Sequence, residues 1–302
     1  MLQFKSLNTR ARADLGPPAV WSSMAELEQR ADQAIQQLRA RRQHLAAERG
    51  GSLKLRDQLD RLTRTDTLEY VDRPDHPVAE KKREVQALHR FNRLFFVYHS
   101  FLYILAPLIQ EVAERRGRDA RLLELACGSG QFTLALARLA HKRRLPVEVT
   151  GSDIVPAYVQ EGNARARHAR LPVTFREINA FDMHELHDGD FDLIFIGSSL
   201  HHLHPGQLAR MIAQSMRVAR TAFVGVDARR SLLILGMVPV ATLLLGNRYL
   251  LHDSVISARR LYSEPELELV AQIAAPGRSV QVRPNGFRAS VLTVRSPLTD
   301  AQ

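Results

Sequence analysis

Apolar residues recur at helical spacing in the first third of the chain and gather into short dense runs after it. Leu27, Ala31, Ala34, Leu38 and Leu45 follow one another at intervals of three, four and seven residues, which is the stripe of an amphipathic helix. Ser23 followed by Glu26 offers a capping box to start it. Gly50-Gly51 interrupts the pattern, and Leu55, Leu59 and Leu62 continue it on a second helix. The first 20 or so residues end in Gly16-Pro17-Pro18 and are expected to form an irregular arm. Asp72 to Pro77 is a Pro-punctuated linker. A long helix is predicted from Val78 through His89, Phe91, Leu94, Phe95, Tyr98, Phe101 and Leu105. Its aromatic density exceeds what one buried stripe needs, so part of it is expected to line a pocket.

From Arg121 the period changes. Strands are predicted at Leu122–Ala126, Val147–Ser152, Val173–Ile178, Phe191–Gly197 and Thr221–Val226, with helices between them. The fourth run is almost wholly apolar, as a strand buried on both faces should be. Pro156 and Pro205 suit first helical turns. Such alternation argues for an α/β fold with a doubly wound, mostly parallel sheet. Beyond an apolar segment at 231–251, Ser263 and Glu266 suggest another capped helix. Val280–Arg283 and Ala289–Val294 then form a terminal strand pair around Asn285-Gly286. The expected organisation is an N-terminal arm and helical hairpin over 1–75, then a main domain over 76–302, with 90–109 and 231–251 as covering segments. The hairpin packs on the main domain or, alternatively, makes a homodimer.

The chemistry converges on the turn after the first strand, Glu124-Leu125-Ala126-Cys127-Gly128-Ser129-Gly130. A strand that passes through glycines into a helix gathers backbone N–H groups at one point, where a ligand's polar end can sit. Gly128 and Gly130 would let the backbone approach it closely. A dinucleotide, S-adenosylmethionine and no ligand at all are each compatible with such a turn. Thr133 stands where the dinucleotide fingerprint requires a glycine or alanine. Asp153 ends the second strand, where a carboxylate can accept two hydrogen bonds from a ribose diol; a helix N-cap is its bland alternative. Ile154 lies beside it. Asn179-Ala180, near Asp182, follow the third strand and could read an adenine edge. Gly197 ends the fourth strand, ahead of Ser198-Ser199-Leu200-His201-His202.

Composition narrows the field. The single cysteine, Cys127, forbids an internal disulfide and suits a reducing cytoplasm. The net charge of +10 admits nucleic acid or an anionic membrane as partners, yet no nucleic-acid-binding module is visible. The greasy stretches at 91–109 and 232–245 are too short or too interrupted for a ~20-residue span, which leaves peripheral membrane contact. His201, His202 and His204 cluster without a suitably spaced acidic or cysteine partner, so no metal site is expected.

ELACGSG, VTGSDIVPAYV, INAFDM and FDLIFIGSSLHHL, in that order, resemble the class I S-adenosylmethionine-dependent methyltransferases. They are most similar to the small-molecule branch that includes the ubiquinone and menaquinone methylases. The resemblance covers about residues 80–296 and implies a seven-stranded, Rossmann-like sheet with an N-terminal helical extension. It implies S-adenosylmethionine as cofactor. Glu124 and Gly128 would contact its methionine part, Asp153 its ribose, and Asn179-Ala180 its adenine. Gly197 would let backbone approach the methionine end. Ala126 stands where the motif often has glycine. The segments VDARRS and HDSVISARRLYSEPEL also look like those of methylases acting on aromatic and lipid-like natural products. The acceptor is therefore expected to be small and apolar or aromatic, with a phenol or quinol oxygen first and a ring carbon next. Its proton would go to His201, then His202, then His252 as base candidates. An RNA methyltransferase, a catalytically silent partner protein and an oxidoreductase are the alternatives.

Overall fold

The computed structural model describes residues 2–13, 20–243 and 247–297. The Gly16-Pro17-Pro18 end of the expected arm, and 244–246 of the apolar segment, lie outside them. The arm itself holds a helix, α1 (Lys5–Ala13), with Leu7 and Ala11 fully buried. Two apolar residues one turn apart are too few for a period to show in the sequence. Helices α2 (Met24–Arg49) and α3 (Gly51–Leu62) follow as expected, separated at Gly50 with φ +64°. The Ser23 hydroxyl accepts the Glu26 N–H at 3.2 Å, whereas the Glu26 carboxylate reaches back to Ser22.

The predicted long helix is two helices, α4 (Val78–Leu94) and α5 (Val97–Arg116), bent by 68°. Phe96 sits in the left-handed region between them, φ +57°. No glycine or proline marks the break, so the sequence pattern runs straight through it. Then come β1 (Ala120–Glu124), α6 (Gln131–Arg143), β2 (Val147–Asp153), α7 (Pro156–His168), β3 (Val173–Glu177) and β4 (Phe191–Gly197). After these run α8 (Pro205–Val218), β5 (Ala219–Ala228), α9 (Leu232–Leu243), α10 (Arg248–Arg260), α11 (Glu264–Ala274), β6 (Ser279–Asn285) and β7 (Ala289–Arg295).

The seven strands form one sheet in the order β3-β2-β1-β4-β5-β7-β6. Pairing is parallel from β3 through β5. The chain winds outward from β1 to β3, then returns to the other side of β1. The order therefore reverses between β1 and β4, and in such sheets ligands bind outside the carboxyl ends of the strands at that point. No single helix is long and apolar enough to cross a membrane among the described residues.

The chain divides into two compact units. One gathers the residues up to Ala87 with Ser198–Arg210 and Asp227–Leu292; the other holds Leu88–Gly197, Met211–Val226 and the residues from Thr293. In the second unit, the ring of Phe175 fills space left by three glycines. A Cβ at Gly151 or Gly162 would stand 2.6 or 2.7 Å from that ring, and one at Gly130 would meet it more closely still. The first unit is organised around buried charge. Arg42 bonds Asp57 and Asp60 at 2.8 and 2.7 Å, Arg230 bonds Asp60, and Arg64 and Arg39 bond Glu266. Burial pushes the Asp60 carboxyl upward, but Arg64, Arg230 and Arg42 outweigh it and hold it below its ordinary value.

Candidate active site

The turn after β1 is held by its own backbone. Cys127 N–H donates to Ser152 O at 2.9 Å and Gly130 N–H to Cys127 O at 3.0 Å. Ala126, Gly128 and Gly130 all have positive φ, +49°, +54° and +74°. The two glycines differ in purpose. Nothing lies within 4 Å of where a Gly128 Cβ would be, so the space beside it is open to a ligand. At Gly130 that space belongs to Phe175. Gly130 thus also serves packing: a side chain there would meet the Phe175 ring. Ala126 bears the strain that the usual glycine avoids.

Glu124 ends β1 and is 6% exposed. One carboxylate oxygen accepts the Thr133 hydroxyl at 2.5 Å. Thr133, wrong for a dinucleotide turn, is therefore the partner of a buried acid. Burial raises the Glu124 pKa to about 8; the Thr133 bond lowers it and neighbouring Asp153 raises it further. A buried acid with so few partners is a fitting neighbour for a ligand's positive charge.

Asp153 ends β2. Its two oxygens accept Gly128 N–H at 2.8 Å and Val155 N–H at 3.0 Å. A carboxylate has about four acceptor positions, and these bonds do not fill them, which leaves room for a ribose hydroxyl. Burial raises its pKa, opposed by the backbone N–H groups of Val155, Gly128 and Ile154. Ile154 is 57% exposed, an unusual place for a large apolar side chain and a suitable cover for a flat ring. Asn179 is exposed, forms an isolated bridge with Asp182, and accepts Phe181 N–H through its side chain at 2.9 Å. Ala180 follows it in the turn. Gly197 faces Phe101: a Cβ there would lie 2.6 Å from the ring. As at Gly130, the missing side chain serves aromatic packing, here with Tyr98, Phe101, Phe132 and Phe195, whose neighbouring ring centroids lie 5.2 to 6.5 Å apart.

His89 escaped selection as a site residue although its helix did not. Its Nε2 lies 3.2 Å from Ser129 Oγ in the turn, and its Nδ1 2.5 Å from the Tyr98 hydroxyl. Burial, with a smaller push from Arg165, lowers its pKa to about 4, so the ring is neutral at pH 7. A histidine within an aromatic-rich helix, one of several, gives no local signal of such contact. Cys127 is buried and its thiol is pushed far up by burial, with Glu124 and Asp153 adding to it. It is no nucleophile.

The expected bases His201 and His202 lie in the first unit with Glu69, Asp72 and Asp227. His201 Nδ1 is 2.8 Å from Asp227 and its Nε2 3.4 Å from Glu69. Burial lowers its pKa, but Asp227 and Glu69 outweigh this and raise it to about 10. Both ring nitrogens of His201 thus face carboxylates. His202 Nδ1 is 2.7 Å from Asp72. His252 lies half-buried against Tyr70, with ring centroids 4.5 Å apart.

Residues 122–222 match the methyltransferase domain family. The chain has the class I methyltransferase fold. Release factor glutamine methyltransferase of Haemophilus influenzae is 33% identical over 107 residues, which cover 32% of this chain and 36% of that protein. The chain thus spans about a third of that relative's length. Among solved structures, the plantazolicin methyltransferase BamL, in complex with a triazolic desmethylPZN analog and SAH, aligns with a TM-score of 0.55 at 14% identity, covering 73% of this chain and 91% of that one. The plantazolicin methyltransferase BpumL with SAH gives a TM-score of 0.54 at 11% identity, with coverages of 76% and 93%. At such identities the likeness is one of fold.

Proposed function

We propose that this protein transfers the methyl group of S-adenosylmethionine to a small, apolar or aromatic acceptor, with phenol or quinol oxygen preferred and a ring carbon next. The observation that carries the reading is the pairing of Asp153 with Gly128. A carboxylate at the end of β2, tied to an open glycine turn and with acceptor positions to spare, is what a ribose diol needs. The remaining roles follow: Glu124 faces the positive charge of the methionine part, Ile154 covers the adenine, and Asn179 with Ala180 reads its edge. The cofactor supplies an activated methyl group. The chain's own task is to orient the acceptor and keep water out. His89, a neutral imidazole against Ser129, is a hydrogen-bonding neighbour of the turn.

Apolar surface supports the choice of acceptor. Leu232, Leu233, Met237, Val240 and Leu243 on α9 are 45 to 62% exposed, as are Leu94 and Phe96 at the α4–α5 break, each at 62%. Surfaces of that kind suit an apolar ligand or a hydrophobic carrier. The competing reading, methylation of RNA, draws on the net charge of +10.

Mass spectrometry of molecules that copurify with the protein tests the class, and calorimetry with SAH tests the site. Labelled S-adenosylmethionine offered with a series of phenols, quinols and total RNA then separates the acceptors. Bound SAH with transfer to a phenol is the expected result. Labelling of RNA that is abolished by salt would favour the rival. No binding of SAH at 1 mM would remove the proposal.

A further inference from the structure

Glu69, His201 and His202 come together in the first unit, although Glu69 is far upstream of the histidine pair in sequence. One ring nitrogen from each histidine and one Glu69 carboxylate oxygen all lie within 4.8 Å of one another. His201 Nε2 is 3.4 Å from Glu69 Oε1, and His202 Nε2 is 3.9 Å from Glu69 Oε2. We propose that these three side chains bind one divalent first-row transition-metal ion, with zinc as the reference case, leaving a coordination position for water.

The donor set is two imidazoles and a carboxylate, a combination suited to such ions. Donors about 2.0–2.1 Å from a tetrahedral zinc are roughly 3.4 Å apart; the two histidine–Glu69 spacings lie within about 0.5 Å of that, and the widest pair of the three, at no more than 4.8 Å, would close by at most about 1.4 Å on binding. The outer partners are the stronger argument. Each histidine turns its other nitrogen, Nδ1, to a carboxylate: His201 to Asp227 at 2.8 Å and His202 to Asp72 at 2.7 Å. That contact fixes the tautomer and aims Nε2 inward, the usual support of a metal-binding histidine. Asp227 also accepts the His201 backbone N–H at 2.9 Å. Ser257 donates to Glu69 Oε1 at 2.8 Å. Asp253 accepts the N–H groups of Tyr70 and Val71 at 2.8 and 3.2 Å, fixing the chain next to Glu69. Glu69 and His201 are buried, and His202 is about a fifth exposed, so the cluster opens on the His202 side.

Three carboxylates, Glu69, Asp72 and Asp227, surround two imidazoles. The metal would bring the compensating charge: two metal–nitrogen bonds form at Nε2, and any protons there pass to solvent. The acidic partner missing beside the histidines in sequence is supplied by the fold.

The test uses the full chain, without a polyhistidine tag and stripped with chelator. Cobalt(II) is added and followed by visible absorption and calorimetry. One equivalent should bind with ligand-field bands, and one equivalent of zinc should displace it. His202→Ala and Glu69→Gln should each abolish the bands and weaken binding by about 100-fold or more. Asp72→Asn, which alters only an exposed outer partner, should weaken it by about 10- to 100-fold. Circular dichroism on the metal-free proteins separates these losses from unfolding. The proposal is overturned if wild type shows no bands at one equivalent, or if folded His202→Ala or Glu69→Gln binds cobalt as wild type does.

Discussion

Replacing Asp153 by alanine is the most direct probe of the nucleotide site. The carboxylate has two tasks. It accepts Gly128 N–H and Val155 N–H, and its spare acceptor positions are those assigned to the ribose hydroxyls. A hydrogen bond to a charged group is worth about 1.5–3 kcal/mol. Losing two that act as a unit costs less than their sum, so about 2–4 kcal/mol is expected, or roughly 30- to 1,000-fold in affinity. The freed Gly128 turn adds to the loss, because binding must then order it. Asp153→Asn keeps one carbonyl acceptor and should fall between the two proteins.

Calorimetry with SAH measures the change directly, since SAH keeps the ribose and adenine and lacks the sulfonium charge. A thermal melt without ligand shows whether the variant is folded. An SAH analogue lacking the ribose 2′-hydroxyl completes the cycle: it should bind wild type more weakly, yet lose little further on going to Asp153→Ala. A folded Asp153→Ala protein that binds SAH within twofold of wild type refutes the ribose assignment.

Three further outcomes are expected. Ala126→Gly should raise the midpoint of thermal unfolding, since it relieves left-handed strain of about 1–2 kcal/mol against a smaller entropic cost in the unfolded chain; an unchanged or lower midpoint would show that the strain is absent. Asp60→Ala leaves Arg42 and Arg230 buried without their shared partner, and denaturant titration should show a loss of about 3–5 kcal/mol. Glu124 has a folded pKa near 8 against an ordinary value of 4.5. Its stabilising contribution is therefore complete below pH 4.5 and is lost as pH rises through 8. Glu124→Gln should stabilise the ligand-free protein relative to wild type at pH 8.5 more than at pH 5, and parallel melting curves at the two values would contradict the shift.

Much of the fold is legible because strands buried on both faces announce themselves. Phe191–Gly197 is continuous and apolar, and the structure ends it at the predicted residue. The capping box of Ser263 and Glu266 is present as predicted. The bend at Phe96 was hidden, because its cause is a backbone conformation that no glycine or proline reports. Glycines mislead in the opposite sense: Gly128 and Gly130 look alike in sequence, and only Phe175 distinguishes them. Charges mislead as well. Arg42, Asp57 and Asp60 sit in polar stretches that read as solvated helix faces, yet each is at most 1% exposed. Truncation of residues 1–70, harmless for a mere accessory arm, would remove Asp60 from beneath Arg230 and Glu69 from beside His201. Residues that meet across long separations leave no local trace, and the Glu69–His201–His202 cluster is of that kind.

The Phe175 ring and the three hydrogens it rests on make a single steric decision shared by four positions. In related sequences a methyl group at 151 or 162 should appear only beside a leucine or something slimmer at 175. A laboratory search for suppressors of Gly151→Ala should return to that same ring. Because Gly151 lies two positions before Asp153, the bulk of a side chain on the outermost strand bears on where the Asp153 carboxylate comes to rest. Engineers who wish to move that acid by fractions of an ångström have a handle in the Phe175 ring.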